Sequence, residues 1–241
     1  MNRTDLPSGI KKRIDEFVMM LRNAYGDQLI SVNLYGSAAS GGYAAGHSGI
    51  DIAVILIDSS LDSISKTSKF INKRKFILMN PLFLTEGYIK RSMDVFPIEF
   101  IDMKDNHVVL YGRDILKDIN VDTKNLRFQC EQELKAKIIN IKRIYMRTTD
   151  IHALKRLLFK SATSSLHILR NLIKLKGREP SFDRDQVINE ISREFGIDLA
   201  PIQKILDAKS MNLKLRREEI KDLFTRLIGA LEAISYKVDQ L

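Results

Sequence analysis

The stretch "LYGSAASGGYAAGHSGIDIAVIL", residues 34–56, decides how the chain is read. A glycine-serine pair, Gly36-Ser37, follows an apolar run, "QLISVNLYG". A second apolar run, "IDIAVILID", begins with a single acidic residue, Asp51. Both runs are rich in β-branched or aromatic residues and predict strands. The segment between them, "GGYAAGHSG", is dense in glycine and predicts a loop, which Gly41 and Gly42 would let close over a ligand.

A Gly-Ser turn at a helix N-terminus brings backbone amides and a hydroxyl close to a phosphate group. Carboxylates on neighbouring strands can share metal ions that neutralise a triphosphate and activate a hydroxyl, and residues two apart on one strand share a face. Gly36, Ser37 and Asp51 suit such a site. Gly49, two residues before Asp51, has no side chain to offer.

Working outward, residues 9–25 place Ile10, Ile14, Phe17, Val18 and Leu21 at helical spacing, with Ser8 as the N-cap and Gly26 as the stop. "LDSISKTSKFINKRKFILM" predicts a helix, and "PLFLTEGYIKRSM" a short strand running into a helix. "DVFPIEFIDM" predicts a third strand carrying Glu99, with Pro97 near its start or edge. Strands and helices alternate to about residue 120, an α/β (α+β) pattern with a small mixed sheet. From "TKNLRFQCEQELKAKIINIKRIYMR" onward the period is helical throughout. Leu126, Cys130, Leu134, Ile138, Ile141 and Tyr145 form one stripe, and Ile151, Leu154, Leu158, Ala162, Leu169 and Leu172 the next. A shorter helix ends at Gly196, and a last one carries Ile220 to Val238, so an all-α helical bundle is expected. The boundary is expected in "YGRDILKDINVDTKN", giving domains 1–122 and 123–241.

The pattern LYGS, a spacer, GID and, later, FPIEF resembles the DNA polymerase β-like nucleotidyltransferase superfamily, whose usual form is Gly-Ser, Asp-x-Asp and a third acidic residue on a following strand. In architecture the chain resembles the aminoglycoside adenylyltransferases. The stretch "PLFLTEGYIKRSMDVFPIEFIDMKDNHVVLYG" is similar to uncharacterised bacterial nucleotidyltransferase-domain proteins. The resemblance implies transfer of a nucleoside monophosphate from a triphosphate, ATP first, to a hydroxyl acceptor held between the domains. It implies Gly36 and Ser37 at the triphosphate, and Asp51 and Glu99 as catalytic carboxylates holding Mg2+, with Mn2+ as the alternative ion. Gly49 stands where the first metal-binding aspartate belongs, so transfer is expected to be weakened or lost. His47 and Ser48 are the substitute donors nearest in sequence, and imidazole suits magnesium poorly. A non-catalytic nucleotide-binding or regulatory protein, or an RNA-associated antitoxin-like module, are the alternatives.

Composition bounds the rest. The chain has 241 residues, 44% of them hydrophobic, enough for two ordinary cores. No leader or membrane-length apolar run is visible in it, and a cytoplasmic protein without membrane partners is expected. Its one cysteine, Cys130, falls in an apolar helical stripe and is expected to be buried and structural. Residues 1–122 hold 15 basic and 15 acidic side chains, whereas residues 123–241 hold 24 and 15, so the net charge of +9 lies wholly in the second half. A basic bundle makes RNA a candidate partner. Within it, Glu133 and Lys137 are spaced i,i+4 and are expected on a solvated face.

Overall fold

The computed structural model describes residues 6–40, 49–181 and 183–241. The chain divides into two compact units, Met1–Val121 and Asp122–Leu241.

In the first unit, helix α1 (Ser8–Tyr25) leads into strand β1 (Leu29–Tyr35), a single turn of helix α2 (Ser37–Ser40) and strand β2 (Ile50–Leu56). Two short helices, α3 (Leu61–Ser65) and α4 (Ser68–Ile71), precede strand β3 (Met79–Leu84), helices α5 (Glu86–Ser92) and α6 (Pro97–Asp105), and strand β4 (His107–Gly112). The sheet order is β3-β2-β1-β4; β1 runs antiparallel to both β2 and β4, while β2 and β3 are parallel. It is a small mixed sheet, as the alternation of elements implies.

β2 is covered on both faces because its side chains alternate. Ile52, Val54 and Leu56 join one core with Ile14, Phe17 and Leu21 of α1, and Ala53 and Ile55 join a second with Ile89, Phe100 and Met103 of α5 and α6. Asp51 shares its face with Ala53 and Ile55, so it emerges at the strand's beginning on the side covered by α5 and α6. The position, not local propensity, defines the site.

The α-helical reading of 9–25 holds, and Gly26 closes α1, but Pro7 occupies the N-cap and Ser8 lies inside the helix. The single helix expected over 61–79 is instead α3, α4 and a 3-10 turn at Arg74–Phe76. "DVFPIEFIDM" is not a strand. Pro97 opens α6 at its first position, where its fixed φ and missing N–H fit a helix start, and Pro97, Ile98, Phe100 and Met103 turn inward. A short apolar run gives the same hydropathy signal in either state, and here the core selects the helix. The fourth strand is β4, whose half-buried side chains carry too weak an alternation to announce it.

The second unit contains helices α7 (Thr123–Arg147), α8 (Ile151–Leu175), α9 (Arg184–Phe195), α10 (Ala200–Ser210) and α11 (Arg217–Asp239). Aspartates cap three of them, Asp122, Asp150 and Asp183 each accepting a backbone N–H of the first turn. α8 touches all four others and buries the longest apolar stripe, which makes it the centre of the bundle. α10, not distinguished by periodicity, packs Ile202, Ile205 and Leu206 inward. Cys130 is fully buried, and burial pushes its thiol up to about 12, with Glu133 adding to the shift. No described helix is long and apolar enough to cross a membrane.

Candidate functional site

Cross-strand register sets four polar side chains in one row. Asn80 on β3 lies opposite Asp51 on β2, Asp51 opposite Tyr35 on β1, and Tyr35 opposite His107 on β4. Directly opposed residues face the same side of a sheet, so the row stands together. Asn80 Nδ2 donates to Asp51 Oδ1 at 2.9 Å. His107 is held at both ring nitrogens, by the Lys104 carbonyl at 2.8 Å and by Asp114 at 2.9 Å. Burial pushes the Tyr35 phenol up to about 12, and the Asp51 charge adds to the shift.

The glycine-serine turn closes onto this row. Gly36 has φ of 68°, and a Cβ there would lie 3.2 Å from Asp51 Oδ2. Any L side chain would meet both backbone strain and the carboxylate. The structure thus brings Gly36 and Asp51 together, with Ser37 next in chain at the start of α2. The Gly36 N–H itself is committed to the Asn106 carbonyl at 3.2 Å. It is not the amide that would reach a phosphate.

Glu99 departs from its expected place. It stands exposed in the first turn of α6, rather than on a strand beside Asp51. The strand neighbour of Asp51 on that side carries Asn80, which sequence reasoning missed because nothing in "LMNPLFL" tells which residue will face Asp51 across a parallel pair. Gly49 adjoins the same spot: a Cβ built on it would lie 3.9 Å from Asn80 Cβ and 3.6 Å from the Leu78 carbonyl, ordinary contact distances. Positions 49, 51 and 80 therefore form a three-cornered nest holding a glycine, an aspartate and an asparagine. His47, Ser48, Gly41 and Gly42 lie outside the described residues.

A pair of magnesium ions needs bridging carboxylate oxygens and near-octahedral oxygen shells. This nest offers one carboxylate, and one of its oxygens already accepts an amide N–H. Among the described residues no three His, Cys, Asp or Glu side chains converge into a metal-holding group. The described residues do not fit a two-ion site.

No protein-family model matches the chain, and no curated protein does either. Among solved structures it is similar to the spectinomycin adenyltransferase AAD(9) from Enterococcus faecialis, solved with ATP and spectinomycin. The two share 14% sequence identity, with a TM-score of 0.58, over 92% of this chain and 99% of that one. At this identity the likeness establishes the fold. The chain shares the fold of that structure, a small mixed sheet with helices followed by a helical unit.

Proposed function

We propose that this protein binds a nucleoside triphosphate, ATP first, at the Gly36-Ser37 turn and Asp51, and that transfer to a hydroxyl acceptor is weak or lost. The observation that carries the reading is the Asn80–Asp51 hydrogen bond beside Gly49. A transferring site needs negative charge at all three corners to collect cations; this one has it at a single corner, and Asn80 rather than Glu99 fills the third. Support for the nucleotide comes from the close approach of Gly36 to Asp51 and from a fold shared with an ATP-bound adenyltransferase. The protein would then act as a nucleotide-responsive binding protein.

The test is calorimetric ATP binding alongside pyrophosphate release with a panel of small hydroxyl compounds, each in magnesium, manganese and chelator. The natural chain is compared with the Gly49→Asp, Asn80→Asp double variant. A Cβ at position 49 meets only ordinary contacts, and circular dichroism melts establish that the variant folds. ATP binding without pyrophosphate release is the expected behaviour of the natural chain. Either ion should raise the melting temperature of the variant by several degrees and leave the natural chain nearly unchanged, as linkage to a new cation site requires. Metal-dependent pyrophosphate release by the natural chain would overturn the proposal.

A further inference from the structure

The helical unit holds a concavity of mixed polar and apolar lining, formed where α7 and α8 run side by side on either side of residues 148–150. It encloses about 480 Å3, within the range of small-molecule sites, roughly 300–1,000 Å3. Lys137, Asn140 and Ile144 enter it from α7 at helical steps of three and four. Leu157, Lys160 and Ser164 enter it from α8 in the same way. The spacing that was expected to place Lys137 on a solvated face instead turns it into the groove.

Three cations of α7 are held in ion pairs. Arg127 and Lys135 pair with Glu131, and Lys142 pairs with Glu232. Neither Lys137 nor Lys160 takes part in an ion pair among the described residues; Lys137 Nζ donates to Ser164 Oγ at 2.7 Å, and Ser164 donates to the Ser161 carbonyl at 3.2 Å. Burial pushes Lys137 below the ordinary lysine range, although Glu133 opposes that shift. Lys137 is half-buried in a groove that Ile141 and Ile144 also line, with the Ser164 hydroxyl as its hydrogen-bond partner and Glu133 as the nearby negative charge, so an entering dianion would meet a cation already partly desolvated.

Glu133 is the one acidic group lining the groove, against two lysines, so its net charge is positive. A phosphate presents three acceptor oxygens and up to two charges, matching two ammonium groups, an amide and a hydroxyl better than a carboxylate's two oxygens and single charge. The apolar side chains Ile141, Ile144 and Leu157 lie beside these donors. We infer that the α7–α8 groove is a binding site for a phosphate monoester, its phosphate held by Lys137, Lys160 and the Asn140 amide and its organic body laid on the apolar floor.

Titration calorimetry of the full chain with phenyl phosphate, benzoate and inorganic phosphate tests this. Phenyl phosphate should bind at least about tenfold more tightly than either fragment, since each lacks one half of the recognition. Lys137→Met and Lys160→Met should each weaken it by about tenfold or more, while Lys237→Met, exposed on α11, leaves it unchanged. Circular dichroism melts establish that the variants fold. In the natural chain, phenyl phosphate should also shield Lys137 from acetylation, read by mass spectrometry, which does not depend on any variant. Displacement of phenyl phosphate by oligouridylate at low salt would assign the groove to a phosphodiester backbone and overturn the monoester reading, whereas no displacement supports it. No binding up to about 10 mM, or binding indifferent to both lysine substitutions, would overturn the inference.

Discussion

The two units handle polar groups in opposite ways. In the α/β unit, Ser31, Asn33, Tyr35 and Asp51 stand on a sheet face that also carries the apolar contacts of Ala53 and Ile55. Ser31 and Asn33 are fully buried there, linked by a 3.0 Å hydrogen bond, with Ser31 donating to the Arg113 carbonyl at 2.6 Å. In the helical unit most charges lie on outer helix faces, as in the Asp222–Arg226 pair, whose side chains are each more than half exposed. Pairs of that kind contribute about 0.2–1 kcal/mol. One aspartate or glycine in the first unit consequently governs more than several lysines in the second, Lys137 and Lys160 excepted.

The contrast is broken most strongly at glycines. Gly112 ends β4 opposite Ser31 with φ of 78°, and a Cβ there would fall 2.0 Å from the Ile30 carbonyl oxygen. Gly112→Ala should cost about 3 kcal/mol or more, because a backbone atom must move. Amide hydrogen exchange should show β1 and β4 losing protection while α8 keeps its own; equal loss in both units would mean that they unfold as one.

Gly229 provides the opposite case. It lies in α11 with nothing within 4 Å of a built Cβ. Gly229→Ala should stabilise the helical unit by about 0.5–1 kcal/mol through helix propensity, seen as a higher denaturant midpoint for α8 and α11 exchange. A decrease would show that the glycine serves a contact outside the described chain.

The finest distinction is a titration. Tyr35 is raised from the ordinary phenol value of 10 to about 12 in the folded protein. Its folded pKa exceeds its unfolded one, so the stability it contributes is complete below pH 10 and is lost as pH rises through 12. Burial raises Tyr25 as well, so ultraviolet absorbance should show more than one tyrosine ionising late, and Tyr35→Phe should remove one of those steps together with its share of the alkaline decline. An unchanged alkaline limb in the variant would remove Tyr35 as the cause.

How far the sequence reached differs between elements for physical reasons. The bundle was legible because amphipathic helices repeat their pattern over many turns, and the stripes from Leu126 to Tyr145 and from Ile220 to Val238 accumulate a clear period. β2 was legible because two-sided burial makes it nearly continuous in apolar residues, and β1 because Leu29, Ile30, Val32, Leu34 and Tyr35 still outnumber its two buried polar residues. The segment around Glu99 misled because ten residues with a central proline satisfy a strand or a helix equally, and only the packing of Phe100 and Met103 beside Ala53 and Ile55 decides. Lys137 misled in the same manner, since i,i+4 spacing from Glu133 fixes a helix face without saying whether another helix covers it.

The sequence by itself determined the α/β-then-helical order, the Gly36-Ser37 pair, the lone Asp51 and the absence of a side chain at Gly49 two residues before it. Each is a local fact of residue type and short-range period. Only the tertiary structure decided that Asn80 faces Asp51, that Glu99 rides on a helix, and that Lys137 and Lys160 share one groove. These depend on strand register and helix docking, which are set by burial summed over whole elements and leave no mark at the residues they bring together.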